Sequence, residues 1–428
     1  MAKQLTVAIA GLGSRGRQTY AKYAEKYPDQ LKVVAVADPI PERVAEAAET
    51  FGIPPGRCFS TAEELVAQDK LADLLFICTP DREHVKPAVP ALYKGYDILL
   101  EKPISPLSAE CAEMLAAAKE TGRRVVVCHV LRYTPFYQEL KRLLDDGAVG
   151  EIVSIQAIEN VGYAHQAHSF VRGNWRNSEE TSPMILQKCC HDMDILLWLT
   201  GKELRKVSSY GGLYLFRPEK APVGSALRCL DGCKVKDSCP YDAEKIYITG
   251  ANGVIAGKTG WPLDVLTMHP TEASIREALE DGPYGRCVYH CDNNVVDHQV
   301  INLELEGGVT VNFTMCAFTS KTSRYTKVMG TMGEIIADMG ENTITILPFV
   351  GEPKVIDVAK LADDFGGHGG GDDRMVADLI GLVSGERKGA ALTSVDQSVA
   401  SHYACFAAEQ SRLNSGESVD ITTMMNSL

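Results

Sequence analysis

Residues 5–27, LTVAIAGLGSRGRQTYAKYAEKY, decide how the first part of this 428-residue chain folds. A short apolar run leads into Gly11, Gly13 and Gly16 at G-x-G-x-x-G spacing, and a stretch of helical periodicity follows. That order is strand, tight turn, helix. Gly11 permits the turn, Gly13 lets the backbone approach a pyrophosphate, and Gly16 permits close helix packing, while the helix amino terminus offers free N–H groups and positive dipole to the phosphates. A second apolar run, LKVVAVAD, ends at Asp38, 22 residues beyond Gly16, where a carboxylate accepts hydrogen bonds from both adenosine ribose hydroxyls. The same charge repels a 2′-phosphate, so NAD is expected ahead of NADP, with Arg15 and Arg43 as offsetting cations.

Working outward, apolar runs recur in ADLLFICTP, YDILLEKP and RRVVVCHV, separated by the helix-like REHVKPAVPALYKG and SAECAEMLAAAKETG. Alternation of this kind predicts a doubly wound parallel Rossmann sheet over residues 1–128, with ligands at the carboxyl ends of the strands. Thr79-Pro80 and Glu101-Lys102-Pro103 lie at two such ends. Beyond residue 129 the pattern changes to strict alternation: Ile301, Leu303 and Leu305 oppose Asn302, Glu304 and Glu306, and Gly307-Gly308 separates this run from VTVNFTM. That is a hairpin, and an α/β domain with an open, mainly antiparallel sheet is expected over 129–428.

The net charge of −13, from 43 basic and 56 acidic residues, opposes a dominant role on nucleic acid or anionic lipid. No apolar run reaches the roughly 18–20 residues of a bilayer-spanning helix. MAKQLTVAIA runs straight into a strand without the features of a signal peptide, so a reducing cytoplasm and a small-molecule partner are expected. Thirteen cysteines, an odd number in that compartment, leave buried thiols and metal ligands as the readings.

The segments AGLGSRG, ICTPDREHVKPAVPALYKGYDILLEKPIS, LRYTPFYQELKRLLDDGAVGEI and HDMDILLWLTG resemble the Gfo/Idh/MocA oxidoreductases, and the likeness runs over nearly the whole chain. The resemblance implies a cofactor surface of Gly11, Gly13, Ser14, Arg15, Gly16, Asp38, Thr79, Pro80, His84, Glu101 and Lys102. It also implies Lys102 between nicotinamide and substrate, Arg132 and Tyr133 at the substrate, and a homodimer or homotetramer. Chemistry supports the lysine independently, since a partly desolvated ammonium at a strand end can hydrogen-bond an alkoxide that develops as hydride leaves carbon.

Within residues 184–201, MILQKCCHDMDILLWLTG, a helix is expected from about Lys188 onward, polar at its start and buried at its end. Spacing of three sets Lys188, His191 and Asp194 in one row, so His191 is expected to take the substrate proton with Asp194 holding its ring. In the family pattern an aspartate precedes this histidine by four residues; here that position is Gln187, which can bind a hydroxyl but cannot relay a proton, and Lys188 is the candidate replacement. Cys189 and Cys190 diverge by roughly 100° on a helix and read as buried small residues.

The polar stretch GYAHQAHSFVRGNWRNSEETSPMILQ contributes His165, His168, Arg172, Trp175 and Arg176, a set suited to a polyhydroxylated or anionic ligand. FGGHGGGDDRMVADLI adds His368 beside Asp372 on a glycine-rich lead into a helix, which the resemblance makes a closure over the substrate pocket. RCLDGCKVKDSCPYDAEKIY brings Cys229, Cys233 and Cys239 together in an insertion near 228–291 with little to bury. With Cys287, or its rivals Cys291 and His290, these thiols form a candidate structural zinc site, an iron–sulfur cluster or free thiols being the alternatives.

Three functions follow. The first is an NAD-dependent oxidoreductase acting on a secondary hydroxyl or ketone of a sugar, glycoside or sugar acid. The second is a glycosidase that recycles NAD through transient ring oxidation, elimination and re-reduction. The third is a dinucleotide-binding regulator without turnover.

Overall fold

The computed structural model describes residues 4–362 and 365–426. Six parallel strands form the first sheet: β1 (Leu5–Ala10), β2 (Leu31–Ala37), β3 (Cys58–Phe59), β4 (Leu74–Ile77), β5 (Asp97–Leu100) and β6 (Val125–Val127), in the order β3-β2-β1-β4-β5-β6. The central strands are apolar along their whole length because helices cover both faces, and Leu74, Leu75, Phe76 and Ile77 are all fully buried. The chain leaves β1 toward β2 on one side and later fills β4 on the other. This reversal opens a crevice at the carboxyl ends of β1 and β4, the switch point at which such sheets bind ligands.

The second sheet has nine strands: β7 (Ile152–Asn160), β8 (Leu204–Gly212), β9 (His298–Leu305), β10 (Thr310–Cys316), β11 (Ser323–Gly330), β12 (Gly333–Asp338), β13 (Thr343–Pro348), β14 (Lys354–Asp357) and β15 (Val419–Asp420). Their order is β14-β13-β12-β11-β7-β10-β9-β8-β15, with only β7 and β10 parallel. The β9–β10 hairpin falls where alternation places it. Ile301, Leu303 and Leu305 are buried, and Gly307 and Gly308 take φ of +76° and +81° so that Leu305 N–H can reach the Val309 carbonyl at 2.8 Å. The Val395–Leu413 helix packs between β8 and the Cys190–Thr200 helix, closing the core on the sheet's inner face.

One element of the second domain crosses to the first sheet. The Gly366–Ser384 helix returns to the first sheet, where Met375, Val376, Leu379 and Ile380 share a core with Val7, Ile9 and Tyr20. Between β8 and β9 lies the cysteine-bearing insertion. Contrary to the expectation of little to bury, it has two small cores of its own, one around Phe216, Tyr241 and Val288, the other around Tyr247, Leu263, Ile275 and Leu279. Only Ile275 and Leu279, four apart on the Glu272–Asp281 helix, show a helical period; the other apolar residues of these cores are scattered among short turns. Among the described residues no helix is long and apolar enough to cross a membrane.

Candidate active site

The glycine turn divides its work as expected. A Cβ on Gly11, whose φ is +91°, would stand 2.5 Å from the Cys78 carbonyl carbon, and one on Gly16 would stand 1.9 Å from the Gly11 oxygen. A Cβ on Gly13 would meet nothing within 4 Å, so this glycine faces open space where a pyrophosphate can lie against the start of the Ser14–Ala21 helix. Asp38 ends β2 buried, its Oδ2 accepting from Leu12 N–H at 2.6 Å and its Oδ1 from Ile40 N–H at 2.9 Å, with Arg43 at 3.6 Å. The carboxylate is thereby held at the crevice edge.

Arg15 takes a different role from the phosphate contact its place in the loop suggests. Its Nε donates to Glu101 Oε1 at 2.6 Å and its Nη2 to Asp372 Oδ1 at 2.6 Å and Tyr20 Oη at 2.6 Å. It therefore clamps the glycine turn to the end of β5 and to the Gly366–Ser384 helix. Burial opposes ionisation of Glu101, yet Arg15 and Lys102 outweigh it and hold the carboxyl below its usual range. His84 likewise bridges backbone, its Nδ1 2.7 Å from the Pro103 carbonyl and its Nε2 2.8 Å from that of Thr79. Thr79 Oγ1 donates to the Glu83 carbonyl and Pro80 caps that short turn, so this group shapes the crevice wall.

Lys102 follows β5, and its Nζ donates to the Gln187 carbonyl at 2.7 Å. That carbonyl is exposed to it because the helix expected from about Lys188 starts only at Cys190: Met184–Gln187 and Cys190–Thr200 are separate helices with Lys188 at the corner. The break corrects the proposed row of Lys188, His191 and Asp194. Asp194 does not hold the His191 ring; both its oxygens accept from Arg132, at 2.7 and 2.6 Å, in a buried bidentate pair. Lys188 pairs with Glu159 at 3.1 Å. Gln187 turns its amide to the Trp175 carbonyl at 2.9 Å, so its side chain braces the loop.

His191 is buried, and its Nδ1 has no hydrogen-bond partner among the described residues. Burial, followed by the nearby Lys102 ammonium, keeps its pKa well below the ordinary value, so the ring is a neutral base at neutral pH. Its ring lies 5.8 Å from that of His129 and 6.4 Å from that of His368. His129 is fully buried with neither nitrogen bonded among the described residues, and burial lowers its pKa likewise. His368 has a φ of +42°, unusual for a residue with a Cβ, and its Nδ1 is 3.1 Å from Asp372. The glycine-rich lead is thus the irregular first turns of a helix, held at the crevice through Asp372 and Arg15.

Three residues that pattern reading passed over complete this wall. Glu159 of β7 faces Arg324 of β11 directly across the sheet, and Arg324 Nε lies 2.9 Å from Glu159 and donates to Asp192 at 2.7 Å. Burial pushes the Glu159 carboxyl up against the opposing charges of Arg324 and Lys188. A signal existed: Glu159 is in phase with the buried Ile155 and Ala157, an acidic residue on the covered face of a strand.

The polar loop divides. His165 faces the site; after burial, the charges of Lys188 and Arg324 are among those that hold its ring neutral. His168, expected at the substrate, instead bonds Tyr247 Oη at 3.0 Å and stacks on Tyr284 inside the insertion, where burial lowers its pKa to about 3. Arg172, also expected at the substrate, is fully buried and donates to the Arg286 and Tyr241 carbonyls at 2.7 and 2.6 Å. Arg176 pairs with Asp292, and Trp175 Nε1 donates to Asp81 at 3.3 Å, both ties between segments. Tyr133 Oη meets Asp378 and Thr393, and Arg132 is committed to Asp194, so neither is free for a ligand.

The zinc expectation is also corrected. Cys229, Cys233, Cys239 and Cys287 do line one small cavity, but among the described residues no group of three or more His, Cys, Asp or Glu is arranged to hold a metal ion. Arg172 reaches into that cavity, donating to Cys229 Sγ at 3.4 Å, and burial pushes the Cys239 thiol up and the Cys287 thiol to about 11. The Arg172 guanidinium bonded to Cys229 occupies the place where a metal cation would need a thiolate. All thirteen cysteines are free.

Known proteins share this organisation. Residues 5–129 match the family model described as oxidoreductase family, NAD-binding Rossmann fold, and residues 141–387 match its C-terminal alpha/beta domain. The oxidoreductase YteT of Bacillus subtilis is 23% identical over 405 residues, 87% of this chain and 88% of YteT. Inositol 2-dehydrogenase of Corynebacterium glutamicum is 25% identical over 48% of this chain and 57% of its own. Two solved structures share the fold. An oxidoreductase from Agrobacterium radiobacter with NAD+, L-tartaric acid and magnesium has a TM-score of 0.67 at 16% identity, covering 98% of this chain and 99% of its own. The WlbA dehydrogenase from Bordetella pertussis with NADH and UDP-GlcNAcA has 0.69 at 17%, covering 98% of each.

Proposed function

The chain belongs to the Gfo/Idh/MocA oxidoreductase family, with its NAD-binding Rossmann fold and C-terminal α/β domain, and on that premise we propose an NAD-dependent enzyme acting on a secondary hydroxyl or ketone of a sugar, glycoside or sugar acid. The observation that carries the proposal is Lys102, at the end of β5, lying near enough to His191 for its charge to act on the ring, a neutral imidazole whose Nδ1 has no partner among the described residues. When bound, the dinucleotide supplies the hydride acceptor or donor. Lys102 Nζ donates to the reacting oxygen and stabilises its alkoxide character. His191 Nδ1 takes the hydroxyl proton, or returns it in the reverse direction, without a carboxylate behind it. Asp38 supports NAD over NADP, because its buried carboxylate would face a 2′-phosphate. The inositol, tartaric acid and UDP-GlcNAcA named with the similar proteins support a polyhydroxylated ligand.

A second reading has one observation in its favour. A neutral buried base beside a lysine also suits removal of a C–H proton next to a transient ketone, and 2,7-anhydro-N-acetylneuraminate hydratase of Escherichia coli is 26% identical over 49% of this chain. Elimination, water addition and re-reduction would then release an aglycone with no net redox change. Pure protein incubated with NAD and a panel of methyl and nitrophenyl pyranosides and pyranuronic acids separates the readings. Stoichiometric NADH supports the dehydrogenase, aglycone release without net NADH supports the glycosidase, and NAD binding with neither defeats both.

A further inference from the structure

Trp261 belongs to the insertion, in the segment KTGWPLDVL of residues 258–266, and its side chain is 51% exposed. Chain mobility does not account for that exposure. Two residues on, Leu263 is fully buried in the insertion's core with Ile275 and Leu279, which fixes the backbone beneath the indole. The ring itself is braced from two sides: its centroid lies 4.9 Å from that of His165 at 73° and 5.3 Å from that of His168 at 86°. His165 in turn lies close enough to Lys188, Arg324 and His368 to feel their charges. A rigid, half-exposed indole therefore stands at the edge of the wall that carries the proposed chemistry.

The same segment also reaches the dinucleotide domain. Asp264 is half-buried, and after burial the groups acting on its carboxyl are Arg17 and Lys22, on the helical stretch that follows the glycine turn. The insertion tip thus lies within electrostatic reach of that helical stretch on one side and against the polar loop, through His165 and His168, on the other. What sets Trp261 apart from other exposed apolar side chains is that its ring is held in place by two imidazoles of the polar loop while half of it faces water.

We propose that Trp261, with His165 beneath it, forms a subsite that stacks on the apolar face of a pyranose ring. A pyranose presents a patch of C–H bonds on one face and hydroxyls around its rim, which matches an indole flanked by two imidazoles, with the Lys188 and Arg324 cations acting on His165 behind it. The assignment rests on the sugar-oxidoreductase reading above. It also changes which tryptophan contacts the ligand: Trp175, the aromatic residue singled out by sequence, is tied to Asp81, whereas Trp261 lies some ninety residues away in the chain.

The test uses the full-length, NAD-loaded protein and the panel of pyranosides and pyranuronic acids. Trp261→Ala should raise KM for the best substrate about tenfold or more, with kcat and NAD affinity little changed, while Trp261→Phe keeps KM within about threefold of wild type. Titrating wild type with the same sugars should shift its tryptophan fluorescence, and Trp261→Phe should lose that shift although Trp175 and Trp198 remain. A KM unchanged in Trp261→Ala, or a fluorescence shift surviving in Trp261→Phe, overturns the subsite. Should no sugar be turned over, a fluorescence shift that Trp261→Phe abolishes still upholds the subsite while the proposed reaction fails. Absence of both turnover and shift defeats the two together.

Discussion

The crevice wall around Lys102 and the thiol cavity around Arg172 are both dense in reactive side chains, and they differ in what those side chains do. At the crevice, His191 Nδ1 is left unpartnered and Lys102 reaches only a backbone carbonyl. In the insertion, Arg172 bonds two carbonyls and a thiol, and His168 bonds Tyr247 and stacks on Tyr284. The first arrangement keeps polar atoms available to a ligand. The second uses them to join segments around the insertion's two small cores. Density of polar residues is common to both, and so is a leftover buried donor, since Arg172 Nη1 also lacks a partner among the described residues; what separates them is how many bonds each cation already makes, one for Lys102 and three for Arg172.

The largest effect that bears on this contrast is expected at the crevice. Lys102→Ala should lower kcat by about 10²–10⁴-fold, followed by NADH absorbance, with only a minor change in melting temperature. Full turnover in that variant would break the comparison. Next comes Asp194, which sequence assigned to His191 and structure to Arg132. Asp194→Ala leaves the Arg132 guanidinium buried and unpaired, and should cost about 3–5 kcal/mol of stability in a denaturant titration. A variant of unchanged stability whose pH–rate profile shifts would restore the catalytic role.

Arg172→Met tests the other region. It orphans the Arg286 and Tyr241 carbonyls, at about 1–3 kcal/mol each, and should loosen the insertion so that Cys229 reacts faster with a maleimide. An equal rate of labelling would argue against Arg172 as the tie. The last test is of pH and bears on both regions. His129, His168, His191 and His402 all have pKa values lowered by burial. Below about pH 6.5 the unfolded chain takes up protons at these rings and the folded chain does not, so stability is full above that pH and declines as pH falls. Each ring contributes up to about 1.4 kcal/mol per pH unit, partly offset by Glu159 and Asp194, whose raised pKa values act in the opposite direction. Melting temperatures that hold constant from pH 7 to pH 5 would mean that these histidines are hydrated.

What could be read directly from the chain was local. The turn at Gly11 to Gly16, the strand ending in Asp38 and the alternation of β9 each depend on residues within a few positions, where backbone sterics and burial period act on neighbours. Glu159 was legible too, from its phase in β7, although only its partner Arg324 reveals why it is buried. The break between Gln187 and Cys190 was not legible, because helical periodicity runs across it and Lys102, 85 residues earlier, takes the carbonyl that the break exposes.

Sequence by itself therefore determined the two folding patterns, the dinucleotide turn and the lysine at the end of β5, since local geometry and hydrophobic period are properties of neighbouring residues. Only tertiary structure decided which polar groups remain free. A guanidinium or imidazole looks the same in a sequence whether it awaits a ligand or is already bonded, and its partners, such as Asp194 for Arg132 or Tyr247 for His168, come from distant segments that meet only when the core closes.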